Sequence, residues 1–383
     1  MQGIYIVAAK RTPIGRFNGG LAGVAASELG ATVVRRLLAE QRIEPGEVSE
    51  LVMGQVLTAG GGQNPARQAA MSAGLPVTMP AYGVSMVCGS GQKAVHLGAQ
   101  AILAGGAELV IAGGQESMSR APHLLGARRA VKYGDVVLAD SVAVDGLTDA
   151  FHGVPMGATA EHLARQHDIT REAQDRFALQ SHGRAIAARA LLAEEIVPID
   201  IGAGRQIDSD EQPRADSSAT ALAALVPAFG AIGTVTAGNA SSLNDGAAAL
   251  VLASERAAKE HAPLARIAAF ASAGVEPMEM GMGAAVAARL ALERAGWRSD
   301  DLDLIELNEA FAAQALAVIA AMGWDEARVN VNGGGIALGH PIGASGCRIV
   351  VTLLYEMQRR GVRRGLATLC IGGGQGVALC LER

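Results

Sequence analysis

Aromatic side chains are nearly absent from this chain, at 3% of 383 residues. Charge is also sparse, at 18% of residues with a net charge of −5, and there is no long basic run. Without a basic patch interleaved with aromatics, nucleic acid is excluded as an expected partner. A small polyanionic ligand is not excluded, because a few local cations and helix N-termini can hold its phosphates. No stretch reaches about 18 uninterrupted apolar residues, so no membrane span is predicted. The amino terminus, MQGIYIVAAKRTPIG, lacks a long apolar segment and a cleavage site, which predicts no secretory signal. The terminal CLER is neither a retention nor a prenylation signal. Cys88, Cys347, Cys370 and Cys380 show no CxxC spacing. A cytoplasmic location with reduced thiols is therefore expected, and metal-ligand spacing is missing.

Apolar residues, by contrast, make up half of the chain, and glycine occurs 49 times. This composition suits a globular protein whose core packs by close backbone approach. At roughly 100–200 residues per domain the length predicts two or three units. The chain also repeats itself. RRLLAEQRIEPGEVSELVMGQV from Arg35 and ARLALERAGWRSDDLDLIELNEA from Ala288 each read as an amphipathic helix, a polar turn and a short apolar strand. Ile43 then corresponds to Trp297, Val48 to Leu302, Leu51 to Ile305 and Met53 to Leu307. Downstream, the segments starting at Cys88 and Gly343 each place a Gly/Ser turn before a helix and a strand that ends in glycines.

Alternating strands and helices predict an α/β architecture with covered sheets. We divide the chain into a first half (1–115), an insertion that returns to that half (116–244) and a second half (245–383). The insertion begins loop-rich and then turns helical, with Thr170 as N-cap.

Four residues stand out chemically. Cys88 sits in VSMVCGSGQKAV, where an apolar run meets glycines and a helix start. The helix dipole there favours a thiolate, the glycines permit a tight turn, and the exposed backbone N–H groups can form an oxyanion hole; the alternative is a buried structural cysteine. His340 lies in NVNGGGIALGHPIGASG, a poor place to build a core and a better place for a base. His152, near a loop, is a candidate for lining a pocket, and the other six histidines read as solvated or structural. Cys370 ends the strand GLATLC at a position equated with Ile111 of the first repeat. Asn308 ends another strand opposite Gly54, where an amide could hold a water or act as a plain cap. Cys347 and Cys380 read as small buried hydrophobes.

The segments RTPIGRF, GQNPARQAA, CGSGQKAV, GGQESMSRAPH, DGLTDAF, AGNASSLNDGAAA, LNEAF, NVNGGGIALGHPIGASG and GLATLCIGGGQG resemble, along nearly the whole chain, those of the thiolase family, closest to its acetoacetyl-CoA type. The resemblance implies the thiolase fold: duplicated α/β halves with stacked five-stranded mixed sheets in an α-β-α-β-α arrangement, plus a loop domain. It implies that Cys88 is acylated, that His340 deprotonates it, and that Asn308 positions a water beside His340 in a first oxyanion hole. Cys370 would move the substrate's α-proton, and the backbone N–H groups of Cys88 and Gly372 would form a second hole. Arg214 and Ser241 would contact coenzyme A, and Met156 would line the acyl pocket. The implied substrates are acetyl-CoA, acetoacetyl-CoA and CoA, with no bound cofactor or metal, in a homo-oligomeric dimer or tetramer. The insertion segment VKYGDVVLADSVAVDGLTDAF resembles the short-chain type and a tetramer-forming loop. Departures from the family pattern are Pro155 before Met156, where histidine is common, Ser242, where glycine is usual, and Gln375, where methionine is common. Pro155 is a feature of degradative 3-ketoacyl-CoA thiolases.

Overall fold

The computed structural model describes residues 3–126, 133, 135–230 and 232–383. The first residues of the insertion segment that resembles the short-chain type, 131, 132 and 134, lie outside the described residues.

The first half runs β1 (Ile4–Arg11), α1 (Ala26–Gln41), β2 (Glu50–Gly54), α2 (Pro65–Ser72), β3 (Ala81–Val84), α3 (Ser90–Leu103) and β4 (Leu109–Ser117). The insertion carries α4 (Met156–Gln166) and α5 (Arg171–Ala187), and the chain returns to the sheet as β5 (Asn244–Ser254). The second half runs β6 (Ala265–Gly274), α6 (Gly283–Ala295), β7 (Leu304–Leu307), α7 (Ala312–Met322), α8 (Ile342–Arg360, after a single turn at Gly335–Leu338), β8 (Arg364–Ile371) and β9 (Gln375–Glu382).

Strand pairing exposes the repeat. In the first set, β3 is parallel to β2 and β2 to β4, followed by antiparallel β5 and β1. In the second set, Val329 bridges Ile305 of β7 in parallel, β7 is parallel to β8, and antiparallel β9 and β6 follow. The fifth strand of the second set is thus reduced to one bridge, because Asn330 takes a left-handed φ of 47° and turns the chain away. The sets meet edge to edge where Tyr5 and Ile6 pair with Arg266 and Ala265. The boundary expected at residue 245 falls inside β5, whose partners β1 and β4 both belong to the first set.

Period-two alternation sorts the layers. Val110 and Ala112 of β4 join Ala367, Leu369 and Ile371 of β8 in one core around α3 and α8, which are therefore the middle layer. Leu109 and Ile111 face the opposite way, onto Leu29, Val33 and Leu37 of α1. Leu366 and Cys370 face outward onto Ala284, Ala288 and Leu292 of α6 and Ala312 and Ala315 of α7. Sheets covered on both faces explain why β4 and β5 are buried at every position. α3 and α8 approach closely because both are glycine-rich where they cross: a Cβ on Gly91 would lie 2.9 Å from the Cys347 nitrogen, and one on Gly346 would lie 2.7 Å from the Gln92 nitrogen.

The insertion leaves from the first half but packs on the second. Met156, Ala160, Phe177 and Ala178 share a core with α6 and α7. Thr170 caps α5 as expected, its Oγ1 accepting from the Ala173 N–H at 3.2 Å. This packing carries Met156 across to the strand and loop ends of both halves.

Candidate active site

Cys88 occupies the turn between β3 and α3. Val87 before it has a φ of 42°, the left-handed region that β-branched residues avoid and that recurs where strain is held at functional sites. Ser90 pins the turn, its hydroxyl accepting from the Met86 N–H at 2.8 Å and donating to the Val87 carbonyl at 2.6 Å. The expected tight turn is present, closed by the Gly89 N–H on the Met86 carbonyl at 2.9 Å, but its left-handed residue is Val87 and not a glycine. Gly89 instead permits close packing, since a Cβ there would lie 2.3 Å from Ile371 Cδ1. The N–H groups of Gly372 and of Cys88 itself point at the sulfur, yet burial outweighs them and pushes the thiol up to about 11. Burial thus works against the thiolate that its place before a helix suggests, although Cys88 is only half-buried at the pocket wall.

His340 is buried, although its glycine-rich segment read as unsuited to a core. Those glycines allow packing no larger residue permits: a Cβ on Gly334 would lie 2.3 Å from the Glu309 carboxyl carbon. The His340 N–H donates to Asn244 Oδ1 at 2.9 Å. Its Nδ1 lies 2.6 Å from Ser345 Oγ, and that hydroxyl donates to the Pro341 carbonyl at 2.9 Å. With its one proton committed, Ser345 accepts, so Nδ1 carries the ring hydrogen. Nε2 is then an unprotonated acceptor, buried without a protein partner among the described residues. Burial, with Arg348 adding to it, lowers the imidazole to about 3 and keeps it neutral. Asn308 Nδ2 is 3.5 Å from His340 Nδ1, too long for a strong hydrogen bond, and its Oδ1 is a buried oxygen without a protein partner among the described residues.

Cys370 is buried, and burial first, then the neighbouring Cys88, raises its thiol. Its counterpart in the first half is not Ile111. Leu51 pairs with Ile111 and Ile305 with Leu366, so strand register matches Ile111 to Leu366 and Cys370 to Gln115. Ser345, Asn244 and the pocket aromatics were not singled out in the sequence; the signal for Ser345 is its place one helical turn beyond His340.

One cavity of about 420 Å³ collects Cys88, His340, Cys370, Gly372, Met156 and Ser241. Its remaining wall is mainly apolar and includes Met118, Leu147, Pro155, Phe229, Met280 and Phe311. Arg214 stands outside it, in a second cavity of about 190 Å³ with His182 and Ser218; Ala240 lines both. His182 accepts from the Arg214 N–H at 3.2 Å, and burial, then Arg214, lowers it to about 4. His152 does not line the pocket. It is half exposed and paired with Asp149 at 2.8 Å, while Thr148 and Pro155 at the base of that loop form the wall. Cys347 and Cys380 are fully buried, as expected of structural thiols. A larger open groove of about 920 Å³, near Arg16 and Arg189, holds none of the candidate residues.

The arrangement offers two thiols, an unprotonated imidazole nitrogen and two N–H groups converging on one mainly apolar pocket. Such a set can carry covalent acyl chemistry with proton transfer. Comparison with known proteins agrees. Residues 4–256 match the family description "Thiolase, N-terminal domain" and residues 261–383 match "Thiolase, C-terminal domain". The acetyl-CoA acetyltransferase of Pseudomonas aeruginosa is 59% identical over 392 residues, covering 100% of both chains. The crystal structure of the Bacillus anthracis acetyl-CoA acetyltransferase superposes with a TM-score of 0.96 at 45% identity, over 100% of this chain and 99% of that one. Human mitochondrial 3-ketoacyl-CoA thiolase superposes with a TM-score of 0.97 at 41% identity, over 100% of this chain and 98% of that one. With both domains matched in order and four strands of each half-sheet repeating in the same order, the chain belongs to the thiolase family.

Proposed function

We propose that the protein is a short-chain thiolase that interconverts two acetyl-CoA with acetoacetyl-CoA and CoA through acetyl-Cys88. The observation that carries this is the convergence of Cys88, His340 and Cys370 on one apolar cavity of about 420 Å³.

The resting protonation states suit thiolysis. His340 Nε2 takes the Cys88 proton, and the thiolate adds to the keto carbon of acetoacetyl-CoA. The carbon–carbon bond breaks, leaving acetyl-Cys88 and the enolate of acetyl-CoA. Cys370 gives its proton to the enolate carbon and becomes a thiolate. Incoming CoA returns a proton to Cys370 and attacks acetyl-Cys88 as a thiolate; the released Cys88 recovers its proton from His340. Condensation is the same path reversed. His340 Nε2–H and a water on Asn308 would hold one thioester oxygen, and the N–H groups of Cys88 and Gly372 the acyl oxygen. Removing one donor of such a hole typically costs ~3–4 kcal/mol. The nucleotide end of CoA is assigned to the Arg214 cavity and its pantetheine to the wall at Ala240 and Ser241, with Met156 against the acyl group.

A homo-oligomer in the cytoplasm is part of this reading. Edge strand β3 supports it: Tyr82 is exposed there, and among the described residues no further strand pairs with its outer edge, where Asn64 Nδ2 donates to the Ala81 carbonyl at 3.0 Å. Among the described residues no helix is long and apolar enough to cross a membrane.

Relative kcat/KM for thiolysis of acetoacetyl-CoA and 3-ketooctanoyl-CoA tests the reading. A strong preference for acetoacetyl-CoA is expected. Comparable rates would transfer the assignment to a degradative 3-ketoacyl-CoA thiolase, which Pro155 in the cavity wall favours. Absence of any acetyl-Cys88 would instead leave a non-catalytic acyl-CoA-binding protein.

A further inference from the structure

The N-termini of the two middle helices are treated differently. Near the end of β4, Glu116 is fully buried and aims its carboxylate at the first turn of α8 in the opposite half. It accepts from the Gly343 N–H at 3.0 Å, the Val56 N–H at 3.0 Å and the Leu57 N–H at 3.2 Å. Gly343 is required by this contact, since a Cβ there would lie 2.7 Å from the carboxylate oxygen. Strand register makes Ile371 the counterpart of Glu116. Ile371 likewise reaches the opposite half, packing on Gly89 at the start of α3. One helix start therefore meets a carboxylate and the other an apolar side chain.

The consequence is chemical. A carboxylate at a helix N-terminus satisfies free N–H groups and fixes the first turn. The turn fixed here is the one from which His340 and Ser345 project. At the start of α3 the Gly89 and Ser90 N–H groups close on the Met86 and Val87 carbonyls, and the donors at the Cys88 sulfur are its own N–H and that of Gly372. Glu116 also acts on Cys88 through space, opposing ionisation of the thiol. The titratable groups facing Glu116 are Asp245 from β5 and the Cys88 thiol; α8 and the loop after β2 present backbone N–H groups to it.

We infer that Glu116 is a positioning residue for the nucleophile–base pair: its bonds to the Gly343, Val56 and Leu57 N–H groups tie the His340 turn to the end of β4 and so set the imidazole against Cys88. This rests on the roles proposed above for Cys88 and His340. Glu116 itself is buried, and burial raises it to about 7 against its three N–H donors. It is therefore ionised throughout the range in which Cys88 titrates.

The experiment follows two readouts at Cys88 by mass spectrometry: acetylation by acetyl-CoA, and iodoacetamide alkylation against pH. In Glu116→Gln the alkylation midpoint is expected to move down by ~1 pH unit, because a nearby negative charge is gone. Acetylation should slow by ~10-fold or more as the base loses its alignment. Glu116→Asp keeps the charge but shortens the reach, so it should keep the wild-type alkylation midpoint and still acetylate slowly. A folded Glu116→Gln that acetylates at the wild-type rate overturns the inference. So does a Glu116→Asp protein that acetylates at the wild-type rate, which decides the matter if the glutamine variant does not fold. Failure of the wild-type protein to acetylate at Cys88 would instead sink the site reading itself.

Discussion

Cys88 and His340 precede corresponding helices in the two halves, but not at the same repeat position: the reciprocal glycine contacts equate Gly91 with Gly346, and so Cys88 with Gly343. Cys88 and His340 each lie two residues before a middle helix, α3 starting at Ser90 and α8 at Ile342. The strands beside them differ in the same paired way: Asn308 replaces Gly54, Cys370 replaces Gln115, and Ile371 replaces Glu116. Two copies of one scaffold thus offer two corresponding helix starts, and substitution at a few positions turns one into a nucleophile mount and the other into a base mount. The scaffold supplies convergence, because α3 and α8 touch through glycines and their N-termini open on the same pocket. Side-chain identity supplies the division of labour.

The comparison breaks hardest at the nucleophile. Cys88→Ala is expected to abolish acetyl-enzyme formation, with kcat down ~10⁴-fold or more, because other members of a cooperating set cannot replace the attacked atom. Cys370→Ala should separate the steps. It should still form acetyl-Cys88 from acetoacetyl-CoA poorly or from acetyl-CoA readily, while exchange of the methyl proton and the carbon–carbon step slow by ~10²–10⁴-fold, the range of general acid–base catalysis. Normal condensation by this variant would remove Cys370 from the mechanism.

The next effect is one of pH. A thiol raised to about 11 beside an imidazole lowered to about 3 means both are neutral at pH 7. Iodoacetamide should therefore label Cys88 slowly at neutral pH and faster as pH climbs toward 11, since only the thiolate reacts. Fast labelling at pH 7 would show a preformed thiolate–imidazolium pair. Ser345→Ala should lower kcat by ~10-fold or more with little change in KM, because Nδ1 loses the acceptor that fixes the ring. An unchanged kcat would mean that burial alone orients His340.

Much of this was legible in the sequence. The paired helix–turn–strand segments carry their periodicity locally, and a cysteine or histidine in a run of glycines is visible without coordinates. What was hidden depends on distant neighbours. Asn244 holds the His340 N–H across 96 positions of chain, and no spacing announces that. The thiol's high pKa follows from burial, which competes with a helix dipole that is easy to foresee. Aligning terminal glycines matched Cys370 to Ile111, whereas hydrogen-bond register, not similarity, identifies Gln115. The insertion's texture marked it as separate, but only packing shows that it delivers Met156 to the opposite half.

The smallest effect sharpens the comparison most narrowly. At Cys88 the supporting hydroxyl, Ser90, bonds the turn's own backbone. At His340 the support is relayed: Ser242 Oγ is 2.8 Å from Asn244 Oδ1, the same oxygen that accepts from the His340 N–H at 2.9 Å, while Asn244 Nδ2 donates to the Gly15 carbonyl at 2.9 Å. Ser242→Gly removes one donor to Asn244 and leaves the bond to His340 in place. The loss should be ~0.5–1.5 kcal/mol of stability, the worth of an ordinary hydrogen bond. Turnover should change by less than ~3-fold, under ~0.7 kcal/mol of barrier. Because Ser242 also lines the pocket, the split between constants decides its role. A fall in kcat alone places it in the relay behind His340, whereas a rise in KM alone places its hydroxyl on the substrate.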